Sequence, residues 1–429
     1  MTHPAGIAGR TEIFMQKLLD AFKKNTKEKL TAALFVILIT VMFFGMLGNP
    51  FDFAEGFLTG YRNTVPPGTP IIDRLRGAIT AAEEAVGEAC FHRQDLVECY
   101  GLAMEVMGKK VVTDYNYGAV YKTKDEQITY SVQPRWVVGA ANDLFPLVNS
   151  LKKEDIDFLY VQLPFKIAPD KYGGNDELPI YVTDYANANA DDFLWQLNAA
   201  GVKNYDIRDE FWSSGYSQKE LFFDTDHHWT IRGAFTATGL IANYLNENYD
   251  FGIPENLYTD ENFKQTTYEK SFIGSMGRRV GKIYGGIDDF TVFTPAFPTD
   301  LTLTQIEGAG KQVFEGSFED AVLEKKYLED SDPTTNRYAC YHGDYQELRF
   351  ENHLAENDKK VLIIKDSFGI PIYSLLSLGV KEVRAIDMRL FEKNVAKYAA
   401  EYHPDLVIVM YNGDSFADPM FDFNPDAKE

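Results

Sequence analysis

VLIIKDSFG, Val361 to Gly369, is an apolar run of strand length that ends in Asp-Ser-Phe-Gly. Aliphatic residues without polar alternation read as a strand buried on both faces. The following IPIYSLLSLG is helix-like, so Ser367 stands at a strand-to-helix turn. Working outward, runs of the same kind are IDFLYVQL (156–163), KEVRAID (381–387) and PDLVIVMYN (404–412), with VKNYDIRD at 202–209. Helix-like stretches separate them: ANDLFPLVNSLKK (141–153), residues 191–200 and residues 230–249. Alternating strands and helices predict an α/β fold with a parallel sheet covered on both faces. Residues 250–345, rich in Gly, Asp, Phe and Thr, interrupt the rhythm and read as a large insertion. Open parallel sheets bind ligands beyond the carboxyl ends of their strands. Chemistry is therefore expected just after IDFLYVQL, YDIRD, VLIIKD and LVIVMYN.

Seven histidines occur in the chain, and two of them are adjacent in FFDTDHHWT (222–230), which precedes the helix-like stretch 230–249. A histidine beside a carboxylate is the usual general-base arrangement, because the carboxylate fixes the tautomer and stabilises the imidazolium. The alternatives are a metal site drawn from Asp224, Asp226, His227 and His228, and a polar loop that caps the helix. Adjacent histidines point apart in extended chain, which disfavours the metal. A serine would complete the set. Ser367 is one candidate, since backbone N–H groups at such a turn can stabilise an oxyanion. Ser415, in LVIVMYNGDSF, competes, but the FADPMFDFNPDAKE after it has two prolines and no helical period. Ser367 is therefore preferred as the nucleophile.

The chain has 429 residues with 42 basic and 64 acidic side chains, a net charge of −22. That balance argues against a nucleic-acid binder, which needs clustered cations. With 31 Phe and 25 Tyr, wholesale disorder is excluded. The three cysteines, Cys90, Cys99 and Cys340, are too few for a disulfide scaffold or a four-cysteine zinc site. Cys90 and Cys99 are near enough in sequence to pair, which would leave Cys340 a buried free thiol. Residues 30–48, LTAALFVILITVMFFGMLG, carry no charge and are long enough to span a bilayer. Lysines cluster just before them, which places the N-terminus in the cytoplasm by the positive-inside rule. The organisation read from this is a cytoplasmic tail (1–29), a transmembrane anchor (30–48), a stem or opening subdomain (49–135) and an extracytoplasmic domain (136–429). A cleaved signal peptide is the alternative, although GMLGNPFDF offers no good cleavage site.

DTDHHWT followed later by IIKDSFG resembles the DHHW family of the SGNH hydrolase-like superfamily, and is similar to the domain of alginate O-acetyltransferases. SFIGSMGRRVGKIYGGIDDF (271–290) and IDMRLF (386–391) add to the resemblance, which covers most of 90–415. It implies a three-layer, flavodoxin-like α/β fold. It also implies a triad in which Ser367 is the nucleophile, His228 the base and Asp226 the residue that orients it. Asp224 with His227 is the alternative pair, since ordinary SGNH enzymes use Asp-x-x-His. The order Asp, His, Ser departs from those enzymes, where serine comes first, and Lys365 stands where their first block has glycine. Trp229 is expected to pack beside the histidine. Arg389 is a candidate for binding an anionic group, and Asn412 for donating to the oxyanion; an ion pair and a turn are their ordinary roles.

The expected reaction is covalent acyl transfer through an acyl-enzyme. Neither a Gly-rich phosphate loop nor a metal cluster is evident, so no cofactor is expected. The resemblance implies a polysaccharide acceptor outside the cell and a membrane-bound O-acyltransferase partner that delivers acetyl groups. The rivals are a carbohydrate esterase with the same triad and a non-catalytic glycan-binding scaffold.

Overall fold

The structure is a computed structural model that describes residues 26–47, 54, 57–61, 65, 71–88, 92–114, 118–417 and 419–423. The chain divides into two units, residues 1–99 and 100–429. The smaller unit contains the helices Thr26–Leu47 and Ile71–Glu88. The first covers most of the run read as an anchor, but the side chains at 38, 39 and 41–47, and residue 48, lie outside the described residues. Among the described residues no helix is long and apolar enough to cross a membrane, so the anchor finds no support in the structure. Cys90 lies outside the described residues; Cys99 is exposed, and Cys340 is a buried free thiol.

The larger unit is built on one eight-stranded sheet: β1 (Asp157–Gln162), β2 (Asn204–Asp206), β3 (Leu301–Glu307), β4 (Gly310–Gly316), β5 (Glu347–Asn352), β6 (Lys360–Lys365), β7 (Glu382–Asp387) and β8 (Leu406–Tyr411). In space they run β2-β1-β8-β6-β7-β5-β3-β4. The first five pair in parallel, and the last three are added antiparallel. Residues of the parallel strands β1, β6, β7 and β8 alternate between two cores. Leu159, Val161, Ile363 and Ile408 face one, with the helix Ile231–Tyr249; Phe158, Tyr160, Leu362 and Val407 face the other, with the helices Val137–Lys153, Ala186–Ala199 and Val395–Tyr402. This is the three-layer arrangement that continuous apolar strands require.

The order of the strands corrects one expectation. Numbered along the chain, the parallel strands lie in the order 2-1-5-3-4, not the flavodoxin-like 2-1-3-4-5. Counted instead from β6, the strand that carries the serine, they read 5-4-3-1-2. That is the flavodoxin-like sheet seen from its other edge. The sheet is thus conventional, and only the point at which the chain enters it is cyclically shifted. The shift explains why the Asp-His segment precedes the serine: it follows β2, the last strand of the shifted count, and β6 comes later in the chain.

The stretch read as an insertion, 250–345, is partly integral to the sheet. It supplies β3 and β4 and a separate two-stranded sheet, Phe263–Phe272 with Asp288–Pro295. LTLTQIE shows the period-2 burial of a half-buried strand, with Leu301, Leu303 and Gln305 buried. Residues 100–129 also belong to the larger unit, where strands Val111–Asp114, Gly118–Lys122 and Ile128–Thr129 form a small antiparallel sheet.

Candidate active site

Ser367 follows β6 and precedes the helix Gly369–Leu376, at the carboxyl edge of the sheet. Its neighbour across the edge is β8, and in the shifted count β6 and β8 flank the switch point where such sheets bind ligands. The DTDHHW loop comes to the same place from the end of β2. His228 Nε2 lies 2.7 Å from Ser367 Oγ, and His228 Nδ1 lies 2.6 Å from Asp226 Oδ1. The backbone N–H of His228 also donates to Asp226 Oδ1 (3.0 Å), and the N–H of Ser275 donates to Asp226 Oδ2 (2.5 Å). Asp226 is buried, and burial alone raises a carboxyl pKa. The adjacent His227 and His228 and their hydrogen bonds outweigh it and hold Asp226 well below the usual carboxylate range. Asp226 is therefore ionised and oriented on Nδ1, as a general base requires.

His227 has a different environment. Its Nδ1 lies 3.1 Å from Ser275 Oγ and 3.2 Å from Asp226 Oδ1. Burial, reinforced by His228, pushes its pKa down to about 3. Asp224, its alternative partner, instead donates its backbone N–H to Asp288. Among the described residues, Asp226, His227 and His228 offer three ligand atoms within 4.8 Å of one another and could hold a metal ion. A metal there would compete with the hydrogen bonds that His228 makes through both ring nitrogens. Ser415 donates to Asp366 Oδ2 (2.8 Å), so the competing serine sits on a carboxylate and Ser367 sits on the imidazole.

The fold and this geometry invite comparison with known proteins. Residues 140–281 match the family model described as the SGNH hydrolase-like domain of acetyltransferase AlgX. Over those residues the chain is similar to that domain. Among solved structures, Bacillus cereus PatB1 with a sulfonyl adduct superposes with a TM-score of 0.59 at 21% identity, over 73% of this chain and 100% of that one. A DHHW family protein from Eubacterium siraeum superposes with a TM-score of 0.53 at 17% identity, over 73% of this chain and 96% of that one. At these identities the likeness is one of fold. A comparison with curated proteins finds no match.

Several residues that build the site leave little trace in the sequence. Lys166, just beyond β1, is buried, and its ammonium donates to the carbonyls of Ile128 (2.7 Å), Phe223 (2.5 Å) and Asp226 (2.8 Å). It ties down both ends of the segment that carries Asp226. Burial pushes its pKa down to about 8 against the pull of Asp288, Asp224 and Asp226. Asp288 accepts from the backbone N–H groups of Asp224 (2.6 Å) and Thr225 (2.9 Å). Gly274 lies against Asp226: a Cβ placed there falls 2.3 Å from Asp226 Cβ. Gly274→Ala must therefore displace Asp226, and about 1 Å of misplacement can cost 10²-fold in rate. The expected result is a loss of kcat of that order with a normally folded protein, checked by steady-state kinetics and circular dichroism.

The remaining candidates fall at the edges of the site. Trp229 is buried, and its Nε1–H donates to Tyr338 Oη (2.9 Å). Tyr338 in turn stacks on His228, with ring centroids 4.3 Å apart. Trp229 thus braces the ring beneath the imidazole. Asn412 donates through both its backbone N–H (2.7 Å) and Nδ2 (2.9 Å) to Asp366 Oδ2, which engages its side chain with a carboxylate. The Asp366 carboxyl, raised by burial against these bonds, also accepts from the Phe368 N–H (2.9 Å) and so fixes the turn around Ser367. Arg389 is held by Asp387 (Nε to Oδ1, 2.8 Å) and by Asp344 (3.0 Å), with its side chain 40% exposed. Lys365 is buried in the same network, against Asp344 and Asp387.

Burial raises Asp184 and Asp288 to about 6. A carboxyl whose folded pKa lies above its unfolded value binds more protons in the folded state. Stability from these two groups is therefore present at low pH and is lost as pH rises through about 6. His227, held down at about 3, acts in the opposite sense, because its unfolded imidazole takes up a proton as pH falls through about 6.5. The test is therefore a difference: Asp184→Asn should lower Tm relative to the parent by more at pH 5 than at pH 7, and an equal loss at both would contradict the raised carboxyl.

Proposed function

We propose that the chain is an O-acyltransferase that moves an acyl group, most simply acetyl, onto a polysaccharide through an acyl-Ser367 intermediate. The observation that carries this reading is the unbroken line Ser367 Oγ, His228, Asp226 at 2.7 and 2.6 Å. His228 Nε2 takes the Ser367 proton as Oγ attacks the acyl carbonyl. The Ser367 N–H makes no hydrogen bond among the described residues, and it is available to the oxyanion that forms. The proton on His228 then passes to the departing oxygen, leaving the acyl-enzyme. In the second half His228 takes a proton from a sugar hydroxyl, which attacks the ester and frees Ser367. Asp226 stays ionised throughout and stabilises the imidazolium. The Arg389 side chain, at the same sheet edge and partly exposed, is suited to an anionic group on donor or acceptor.

Leu30, Leu34, Phe35, Val36 and Ile37 each leave more than half of their surface exposed, and they begin the uncharged run 30–48. We read that run as a tether that holds the domain outside the membrane. There a membrane-bound O-acyltransferase is the partner expected to supply the acyl group. The esterase reading shares the triad and differs only in the acceptor. The test supplies p-nitrophenyl acetate with and without neutral and acidic oligosaccharides. Acetylated oligosaccharide among the products supports transfer, whereas acetate alone supports the esterase.

A further inference from the structure

The chain is strongly acidic overall, yet one groove away from the triad gathers cations. It has a volume of about 600 Å³ and is lined by Arg349, Lys360, Arg384, Lys393, Lys397 and Tyr402, among others. It lies where the helix Val395–Tyr402 meets β5 and β7. Two of the cations are paired: Arg349 with Glu347 (2.5 Å) and Lys360 with Glu382 (3.3 Å). Glu392 and Glu401 also line it. Arg384 and Lys393 have no carboxylate partner among the described residues. Arg384 instead lies flat on the Tyr402 ring, 3.6 Å from its centroid, and donates to Tyr398 Oη (3.0 Å). Lys393 stands over the rings of Phe391 and Tyr398.

A second observation comes from unpaired polar atoms. Tyr402 is 7% exposed, and its buried hydroxyl has no hydrogen-bond partner; the same is true of Glu347 Oε2. Buried polar groups are nearly always satisfied, and an orphan calls for a missing water, ion or ligand. The Glu347 oxygen is an acceptor outside the lining, but the Tyr402 hydroxyl is a spare donor in the wall of the groove, beside a guanidinium that has no carboxylate among the described residues, and the two together describe a site for a ligand that accepts hydrogen bonds.

We infer that this groove binds a compact anion of the phosphate or carboxylate class, with the Arg384 guanidinium as its principal contact. A planar guanidinium held by stacking presents its donors to such a group in fixed geometry. Lys393 and Lys397 add charge at the rim. A net charge of −22 on the chain repels a long polyanion, which favours a small ligand or the charged end of a larger one. The inference does not rest on the acyl-transfer reading, since the groove shares no residue with the triad.

The experiment titrates the full chain with inorganic phosphate, glucose 1-phosphate and glucuronate by isothermal calorimetry, with glucose as a neutral control. Binding of an anion but not of glucose is expected. Arg384→Gln should weaken it about tenfold or more, the effect of losing a charge-assisted hydrogen bond. Because Arg384 is packed against Tyr402, the exposed-rim variant Lys393→Gln/Lys397→Gln provides a second reading, with weaker binding at low salt. Phosphate binding without glucuronate binding supports the inference and names the source as a phosphate. The converse supports it and names a uronate. Absence of binding for all three anions, or equal affinity in the folded Arg384→Gln and the double variant, would overturn it.

Discussion

Ser367→Ala is expected to reduce turnover of an activated acetyl ester by about 10³-fold or more, and His228→Ala by a similar factor. The reason is that the two side chains act as one unit. Without Oγ there is no nucleophile, and without Nε2 the proton on Oγ has no acceptor. The double variant should then be little worse than either single one, since residues that act together are strongly non-additive. Ser415→Ala tests the alternative directly. Its hydroxyl rests on Asp366, 2.8 Å away, so its loss should leave turnover nearly intact. Steady-state assays of the four variants decide the matter. Retained turnover in Ser367→Ala with loss in Ser415→Ala would reassign the nucleophile.

The second large effect is expected at Lys166, which never touches substrate in this account. Its ammonium satisfies the carbonyls of Ile128, Phe223 and Asp226 in the interior, with Asp224 O at 3.2 Å. Lys166→Met keeps most of the side-chain volume and removes the donor of every one of these bonds. Leaving a buried carbonyl unsatisfied costs about 1–3 kcal/mol. The catalytic loss should exceed what partial unfolding explains, because the freed carbonyls include those of Phe223, Asp224 and Asp226 itself. Measured on the folded fraction, kcat should drop while KM stays close to the parent's. A Tm within two or three degrees of the parent's, with unchanged kcat, would refute the assignment of Lys166 as the fastener of this loop.

Which parts of the molecule the sequence made legible follows from how local the signals are. The parallel strands were readable because a strand buried on both faces must be apolar at successive positions, as Val361–Ile364 and Leu406–Met410 are. Ser367 was readable because a polar residue directly after such a run marks the functional edge of the sheet. His228 and Asp226 were readable because the carboxylate lies two residues from the ring it serves. The groups that hold this constellation in place come from far along the chain, and there the local reading fails. Lys166 lies 60 residues from Asp226 and Tyr338 lies 109 from Trp229, and only the fold brings each pair together. A lysine after an apolar strand looks like a surface residue. That Lys166 is buried depends on three carbonyls no local pattern encodes. Asp288 and Ser275 sit in the stretch 271–290 quoted for the family resemblance, yet nothing in their spacing announces contact with residues 224–226.

Two other differences have physical causes. The shifted strand order is invisible to composition and periodicity, because cyclic permutation leaves every local segment unchanged. The only trace is the order Asp, His, Ser. The antiparallel extension β5-β3-β4 was missed for a different reason: LTLTQIE alternates every second residue, a weaker signal than an unbroken apolar run. Asn412 and Arg389 were placed at the right edge of the sheet by their positions after strands. Their partners, Asp366 and Asp387, lie on the ends of neighbouring strands, so sequence alone could not say that both side chains are engaged with carboxylates.

The central claim is that Ser367 carries the acyl group. It is tested most directly by mixing the chain with a large excess of p-nitrophenyl acetate, quenching in acid within the first turnovers, and mapping the added mass by peptide sequencing in a mass spectrometer. The same preparation treated with a sulfonyl fluoride provides a stable counterpart, since a sulfonylated serine does not turn over. The account predicts one acetyl group, and one sulfonyl group, on the peptide containing Ser367, both absent from His228→Ala. Acetyl on Ser415 or on a lysine, with none on Ser367 while ester turnover proceeds, would contradict it.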